Sequence, residues 1–306
     1  MNKHVFFRQL GCCMGVYIVA MCFNAVVTFS SILIPQMQLK TSKVVITTPL
    51  EISLVASMAA LPMSFGTLLN CYLMERFGRK LSLLFSQIPM LGWLIIGFSE
   101  NIYMVFVGRF LTGWSAGMSS ILCSVYIAEI ASIRYRAVLL ALMNLSVNLG
   151  MVTSHILGLY ITWNYVAMII FGFAIFGIFV IAFWSPETPF WLILNDRYSK
   201  CVKTHSWLSG VTEEVSINMP EFVALEKKAE RIKSIQKNCK YYAYCFTSPE
   251  FYKPLLISSM FFLIAQFSGL GAITFYSVTL FHDILGSNVR QETALLMIDS
   301  LRVFGL

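Results

Sequence analysis

The sequence predicts an all-α integral membrane protein, and its composition and the pattern of its apolar runs carry that prediction. Of its 306 residues, 58% are hydrophobic and only 12% are charged, and the mean hydropathy is +0.73. This composition is too apolar for an ordinary soluble domain. The net charge of +7 does not indicate nucleic-acid binding, because the basic residues fall in loops between apolar runs rather than in one patch.

Five apolar runs are predicted to cross a hydrocarbon layer of ~30 Å as six helices. The first is too long for a cleaved secretory signal, so we expect it to remain as a span that Pro35 ends. A polar break at Thr162 to Asn164 divides the last run into two spans joined by an outer turn. The predicted spans are Gln9–Leu39, Ile52–Met74, Leu81–Ser99, the run between Glu100 and Glu129, and the two halves of Ala137–Pro186.

The segment from Glu187 to Lys253 changes character, since it holds ten basic and eight acidic residues. Its pattern, as in EFVALEKKAERIKSIQ, predicts short amphipathic helices. Together with seven basic residues in the other inner segments, it places 17 of the 22 Lys and Arg residues on one side of the membrane. Because cytoplasmic loops carry the excess of Lys and Arg, the amino terminus and this segment are predicted to be cytoplasmic.

A seventh span is predicted from Pro254 to about Phe281. The residues after Glu292 reach only about 21 Å of the ~30 Å that a helix must cover. We therefore expect an N-terminal six-helix transmembrane bundle (1–185), a cytoplasmic helical linker (186–253), and a seventh helix with an incomplete eighth (254–306). This is the organisation expected of a chain truncated after its seventh helix.

The fourth predicted span carries the most specific signals. Small residues recur every four positions, so one helix face is nearly bare and a neighbouring helix can approach closely. They are Gly108, Thr112, Ala116, Ser120 and Ser124, with Gly113 and Gly117 beside them. Arg109 lies among them, and a guanidinium in the bilayer is costly unless it meets a carboxylate, carbonyl groups or water. Arg109 is therefore predicted to point into the bundle.

Four motifs in order along the chain resemble those of the sugar porters, a branch of the major facilitator superfamily. The fourth span and its loop read GRFLTGWSAG and VYIAEIASIRYR. ERFGRK at Glu75–Lys80 resembles the loop between the second and third helices, and PETPFWL at Pro186–Leu192 resembles the family's PESPRWL signature. QFSGLGAITFY at Gln266–Tyr276 resembles the sugar-binding segment of the seventh helix. Within the family, the chain is similar to insect facilitated trehalose transporters.

The resemblance implies a major facilitator-type fold that moves a sugar by alternating access between two helical halves. It also implies a cytoplasmic charge network that locks the outward-open state. In this sequence the network would comprise Glu75, Arg76, Arg79, Lys80, Arg109, Glu129, Arg134, Arg136 and Glu187. The residues alone leave open a second interpretation, in which the charges fix topology and attract lipid headgroups. Because acidic residues are interleaved with the basic ones, we favour the gate.

A polar stripe on the fifth span predicts part of a substrate site. Asn144, Asn148 and His155 share one helix face, which indicates a water-filled cavity, although interhelical hydrogen bonds explain each residue equally well. Sugar hydroxyls need amide-type donors and acceptors beside aromatic walls. With the residues that the resemblance adds from the seventh helix, the predicted substrate-binding residues are Asn144, Asn148, His155, Gln266, Thr274 and Tyr276.

Departures from the family's pattern leave the solute open. Ala265 and Gly271 stand where the family has a glutamine and an asparagine, and Phe190 replaces the arginine of PESPRWL. The predicted function is facilitative transport of a hexose or trehalose-like sugar. The alternative is a truncated or non-transporting pseudo-transporter that acts as a sensor or interaction partner.

Coupling to protons needs a titratable group within the pathway, and no Asp or Glu stands deep inside the predicted spans, where His155 is the one histidine. Transport is therefore predicted to be facilitative. No nucleophile and base stand at a recognisable spacing, and the cysteines form no CxxC pair, so neither an enzyme nor a cofactor or metal is predicted. The expected partners are a small sugar and membrane lipid, without nucleic acid, and the expected location is the plasma membrane.

Overall fold

The computed structural model of the chain describes residues 3–39, 42–46, 48–236 and 248–269. Within these ranges the regular structure is helical, which confirms the predicted all-α fold class. Six helical segments of the described residues are long and apolar enough to cross a membrane. They are α1 (Lys3–Gln38), α2 (Pro49–Arg76), α3 (Arg79–Ser86) together with α4 (Gly92–Gly97), α5 (Ile102–Ile130), α6 (Arg136–Tyr160) and α7 (Trp163–Trp184).

Helix ends follow local sequence signals, with one difference from prediction. At the start of α2, Thr48 Oγ1 accepts from Glu51 N at 3.3 Å and Glu51 Oε2 accepts from Thr48 N at 3.1 Å, which is a capping box. Pro35 was predicted to end the first span, but α1 continues through it to Gln38. A proline in the last turn removes only one backbone hydrogen bond, so the helix tolerates it.

The third span is broken, whereas the sequence predicted one helix from Leu81 to Ser99. The helix α3 ends at Ser86, a 3₁₀ turn covers Ile88–Leu91, and α4 begins at Gly92. Pro89 lies in the turn, where it has no N–H to donate and its ring clashes with the carbonyl four residues back. The proline therefore accounts for the break.

The helix α5 is packed closely against two neighbours through its small residues. A Cβ atom on Gly113 would lie 2.1 Å from the carbonyl oxygen of Ala59, and one on Gly117 would lie 2.0 Å from that of Met63, both on α2. Gly108 instead lies against α4. The predicted small-residue interface is confirmed, but it serves two helices, because a four-residue repeat drifts around a helix of 3.6 residues per turn.

The apolar core of the bundle lies between α1, α2, α4, α5 and α7. The Phe29 and Trp93 rings meet edge to face there, with centroids 4.9 Å apart. The helix α6 packs mainly along α1, where a Cβ atom on Gly150 would lie 2.3 Å from the carbonyl oxygen of Met21. These contacts hold α1 between α5, α6 and α7.

The described chain divides into two compact units, one up to Glu187 and the other from Thr188 onward. The second contains α8 (Pro189–Leu194), α9 (Tyr198–Ser209), α10 (Glu213–Ile217), α11 (Pro220–Gln236) and α12 (Pro249–Phe267). The predicted short helices are present in it, and Trp191, Cys201, Val202 and Phe222 form its buried cluster. The predicted boundaries at 185 and 253 stay a prediction.

The seventh predicted span is described in part. The helix α12 covers its beginning, and its apolar portion runs from Phe251 to Phe267. Thr274, Tyr276 and the predicted incomplete eighth helix lie outside the described residues.

Candidate functional site

A buried ion pair joins α3 to α5 at the predicted cytoplasmic end of the bundle. The Arg79 side chain, 8% exposed, donates from Nη2 at 2.8 Å and from Nε at 3.1 Å to Glu129 Oε1. Its Nη1 donates at 3.2 Å to the carbonyl oxygen of Met74 on α2. Charge-assisted hydrogen bonds are stronger than neutral ones, and a buried pair is costly to break, so this guanidinium fastens three helices together.

The Glu187 carboxylate caps the amino end of α3. Its Oε1 accepts from Arg79 N at 2.8 Å, and both of its oxygens lie 3.2 Å from Lys80 N. The first N–H groups of a helix have no partner within the helix and carry the positive end of its dipole, so they attract a carboxylate. Lys80 Nζ donates at 2.8 Å to the carbonyl oxygen of Ala182 in α7. The segment that follows α7 is thereby held against the start of α3.

Two neutral side chains extend this cluster, and the charge-based sequence reasoning missed both. The Tyr126 hydroxyl donates at 2.8 Å to the carbonyl oxygen of Pro186. Gln9 Oε1 accepts from Ser132 N at 3.2 Å. The partners of both side chains, Pro186 and Ser132, lie in the sequence motifs. Polar residues within otherwise apolar spans were the signal that could have found Tyr126 and Gln9.

The remaining predicted members of the network near this end lie at its rim. Glu75, Arg76, Arg134 and Arg136 are exposed. Arg76 Nη1 lies 2.5 Å from the Tyr72 hydroxyl, the Arg134 guanidinium lies over the Tyr135 ring, and Arg136 Nη2 lies 3.5 Å from the carbonyl oxygen of Ala131. The structure therefore brings Arg79, Lys80, Glu129 and Glu187 together. We call these four residues the ion-pair cluster.

Arg109 forms a separate site deep in the bundle. It is fully buried, and Nη1 donates at 2.9 Å to the carbonyl oxygen of Val26, Nε at 3.4 Å to that of Val55, and Nη2 to Ser30 Oγ. The prediction that Arg109 points into the bundle is confirmed. On α5 it stands 20 residues before Glu129, or about 30 Å along the helix. We therefore assign Arg109 to the helix core rather than to the ion-pair cluster.

The predicted substrate residues of α6 differ in burial. Asn144 is exposed, Asn148 is half-buried, and His155 is 3% exposed with its Nε2 at 2.9 Å from Ser31 Oγ of α1. His155 thus makes the interhelical hydrogen bond that was the alternative interpretation. The substrate-binding role of Asn144 and Asn148 stays a prediction, and an amide in an apolar span favours protein or water over lipid.

The sequence reasoning also missed a row of polar residues on α1. Asn24, Thr28 and Ser31 follow one another at helical spacing, and Asn24 Nδ2 donates at 2.8 Å to the carbonyl oxygen of Val147 on α6. Gln36 Nε2 donates at 2.8 Å to the carbonyl oxygen of Gly158. Polar residues four and three positions apart within a charge-free span were the signal that could have found this row.

In the second unit, Gln266 lies on α12 and is exposed. The sugar-binding role of the seventh-helix segment stays a prediction. Elsewhere in the unit, His205 Nδ1 lies 2.7 Å from Ser216 Oγ. Burial lowers the pKa of His205, and the Glu221 carboxylate partly offsets that effect. Burial also raises the pKa of the Cys201 thiol to about 12, so this cysteine is unreactive at neutral pH.

Six helical segments long and apolar enough to cross a membrane, with an ion-pair cluster at the end of their bundle, define a multi-spanning membrane protein. The sequence model of the family described as Sugar (and other) transporter matches residues 6–299. The chain belongs to this family, which confirms the predicted relationship.

Relatives of the chain are transporters of insects and plants. The chain is 29% identical over 246 residues to Facilitated trehalose transporter Tret1 of Apis mellifera ligustica, an alignment covering 80% of this chain and 47% of that protein. It is 29% identical over 231 residues to the Polypedilum vanderplanki protein of that name, covering 73% and 43%. It is 28% identical to Sugar transporter ERD6-like 6 of Arabidopsis thaliana, covering 76% and 47%. The chain therefore spans about half the length of the curated relatives it matches.

Solved structures give the same fold. The proton:xylose symporter XylE, bound to 6-bromo-6-deoxy-D-glucose, superposes with a TM-score of 0.76 at 15% identity, covering 99% of this chain and 67% of that one. Inward-open XylE from E. coli superposes with a TM-score of 0.70 at 15% identity, covering 98% and 67%. Both support the predicted major facilitator fold.

Proposed function

We propose that this protein carries out facilitative transport of a sugar across the plasma membrane by alternating access. The observation that carries the proposal is the ion-pair cluster, in which the Arg79 side chain binds Glu129 and the backbone N–H groups of Arg79 and Lys80 bind the Glu187 carboxylate. The cluster joins α2, α3, α5 and the segment after α7 at one end of the bundle. Such a set of charged hydrogen bonds is suited to form and break as a unit when two halves of a transporter move.

The proposed solute is a hexose or a trehalose-like sugar. Relatives are named as trehalose transporters, and a structural neighbour is bound to a halogenated glucose. We propose that Asn144 and Asn148 bind sugar hydroxyls and that His155 positions α1 beside them. Gln266, Thr274 and Tyr276 are proposed from the sequence motif alone.

We propose that transport follows the solute gradient. In the six described membrane-spanning segments, carboxylates stand only in the first or last turns, as Glu51, Glu75 and Glu129. A carboxylate that carries a proton across would need to lie along the pathway. The described part of the bundle therefore supports facilitation.

Uptake in transport-null cells tests this function. We expect cells expressing the full chain to take up radiolabelled glucose or trehalose saturably until the concentrations inside and outside are equal, without response to a protonophore. Accumulation against the gradient that collapses with the protonophore would contradict facilitation. Surface-expressed protein without uptake would favour the pseudo-transporter, an alternative that the family match does not favour.

A variant pair on α6 tests the site. Loss of a hydrogen bond between the side-chain amide and a sugar hydroxyl costs about 1–1.5 kcal/mol, so we expect Asn148→Leu to raise KM about tenfold. Thr153→Val is the matched control, because the Thr153 hydroxyl donates at 2.7 Å to the carbonyl oxygen of Leu149 in its own helix. Equal KM values for the two variants would remove Asn148 from the site.

A further inference from the structure

Buried polar side chains cluster at the break in the third span, in the middle of the bundle. Hydroxyl groups of α5 approach the end of α3, where Ser115 Oγ donates at 2.5 Å to the carbonyl oxygen of Ser86. The Gln87 amide nitrogen donates at 2.9 Å to Ser86 Oγ and at 3.1 Å to Ser119 Oγ. All four side chains are buried. The carbonyl group that leaves the α3 hydrogen-bond ladder is thus satisfied by the neighbouring helix.

Two oxygen atoms of this polar region remain unsatisfied. Among the described residues, neither Gln87 Oε1 nor Ser82 Oγ has a hydrogen-bond partner, although Gln87 is 2% exposed and Ser82 is fully buried. Such groups are costly in an apolar interior, so they are normally paired with protein or ordered water. In a membrane-spanning segment, bulk solvent is not available to supply the partner.

The two unsatisfied atoms belong to side chains that both neighbour Ser86. Ser82 and Ser86 stand four residues apart on α3, so their Cβ atoms are about 5–6 Å apart on one face. The Gln87 amide is already hydrogen-bonded to Ser86 Oγ. A single water molecule can bridge polar groups at such a separation.

We propose that an internal water molecule is bound at the break of the third span by Gln87 Oε1 and Ser82 Oγ. The chemistry fits water rather than an ion, because both groups are neutral, the amide oxygen accepts, and the hydroxyl both donates and accepts. Rotating the Gln87 amide by 180° would leave its NH₂ group unpaired in place of the oxygen. A partner that can both donate and accept is needed in either orientation.

The bound water gives the break a conformational role. The amino end of α3 is held by Glu187, and α4 is packed against Gly108 of α5. Between these two anchored pieces the backbone makes short-range bonds, such as that from Met90 N to the carbonyl oxygen of Gln87, and the water adds side-chain bonds that can be exchanged. The third span can therefore bend at Gln87 when the ion-pair cluster opens.

Two direct measurements on the full chain in lipid nanodiscs test the site. We expect a high-resolution density map to show a peak within hydrogen-bond distance of Gln87 and Ser82. Radiolysis of bound water should also oxidise Met90, which is 1% exposed and whose N donates at 3.0 Å to the carbonyl oxygen of Gln87. An empty site in the map, together with unlabelled Met90, would overturn the proposal.

The direction in which a variant shifts the midpoint of thermal unfolding gives a further test of the site. If water is bound, Ser82→Ala loses a hydrogen bond to it, and its midpoint should fall by about 2–4 °C. If the site is dry, removing this unsatisfied buried hydroxyl should raise the midpoint. The matched control is Ser154→Ala, because buried Ser154 donates at 2.9 Å to the carbonyl oxygen of Gly150 in its own helix. It should retain the Met90 labelling, whereas Ser82→Ala should reduce it.

Discussion

At the scale of single residues, the bundle buries two arginines in different ways. Arg79 lies near the end of the helices, where a carboxylate can remain charged, and it pairs with Glu129. Arg109 lies deep in the span and is satisfied by two backbone carbonyl groups and the Ser30 hydroxyl. Carbonyl dipoles stabilise a guanidinium without adding a second charge that must also be desolvated. We propose from this difference that Arg79, at the predicted cytoplasmic end, changes partners during transport and that Arg109 is structural.

Removing the acidic partner of Arg79 should loosen the predicted cytoplasmic end. Glu129→Gln keeps the shape of the side chain but leaves Arg79 without its counter-charge, so we expect a loss of about 1–3 kcal/mol and a shift toward the inward-open state. The measurement is the rate at which a maleimide labels a cysteine introduced at Met74, with exposed Cys71 replaced by serine. Arg76→Gln, on an exposed arginine three residues before Arg79, is the control and should label at the original rate. Equal rates in both variants would argue against the gate.

Acid should destabilise the second unit through His205. Burial lowers the pKa of His205 in the folded state below its unfolded value of about 6.5, so the neutral form is favoured on folding. The stability from this residue is therefore complete above about pH 6.5 and is lost as the pH falls from there toward the folded pKa. Hydrogen exchange of α9 and α10 between pH 7.5 and 5.5 measures the loss. His205→Gln, which keeps a hydrogen-bond partner for Ser216 without titrating, should flatten this pH dependence, and an unchanged profile would exclude His205 as its source.

At the scale of elements, α5 organises the bundle because its small residues allow backbone contact with its neighbours. Gly117 and Gly113 lie against α2, and Gly108 lies against α4. In lipid, close packing drives helix association more than the hydrophobic effect does. The repeat of small residues was readable in the sequence, and its division between two helices was not, because it depends on how the neighbours cross α5.

Replacing a packed glycine and an unpacked glycine by alanine should distinguish the effect of these close contacts on stability from the effect of helix propensity. Alanine favours helix over glycine by about 1 kcal/mol, so Gly→Ala alone should stabilise a helix. At Gly117 the new Cβ atom would lie 2.0 Å from a backbone carbonyl oxygen, and at Gly172 nothing lies within 4 Å. We expect Gly117→Ala to lower stability by about 1–3 kcal/mol through overpacking and Gly172→Ala to leave it equal or higher. Thermal unfolding of the two purified variants would contradict this packing if their midpoints rose together.

At the scale of the whole molecule, charge distribution predicts the orientation of the bundle. Basic residues are concentrated at the end of the bundle where the ion-pair cluster lies, and more follow in the second unit. There Arg197 precedes α9, and Lys200 and Lys203 lie on it. The opposite end has short turns, such as the one before α5 and the one between α6 and α7. The positive-inside rule therefore predicts that α8 to α11 of the second unit lie in the cytoplasm.

Epitope tags should report this orientation in cells. A tag placed after Gly210, an exposed residue with φ of 70° between α9 and α10, should be detected only after the cells are permeabilised. A tag in the turn at Glu100 and Asn101, before α5, should be detected on intact cells. Detection of the Gly210 tag on intact cells would reverse the predicted topology. The protein with the Gly210 tag should also carry a different epitope tag at Glu100 and Asn101, so that its delivery to the cell surface is confirmed first.

The sequence by itself determined the number and positions of the six spans, the small-residue helix, the burial of Arg109 and the family. These are local signals, because hydropathy over one run and the letters of a motif do not depend on distant residues. The tertiary structure decided which charges pair, that His155 binds Ser31, and that α3 ends at Ser86. Arg79 and Glu129 are 50 residues apart and Ser31 and His155 are 124 apart. Only the packing of whole helices sets such partners, because many side chains of suitable chemistry compete for each one.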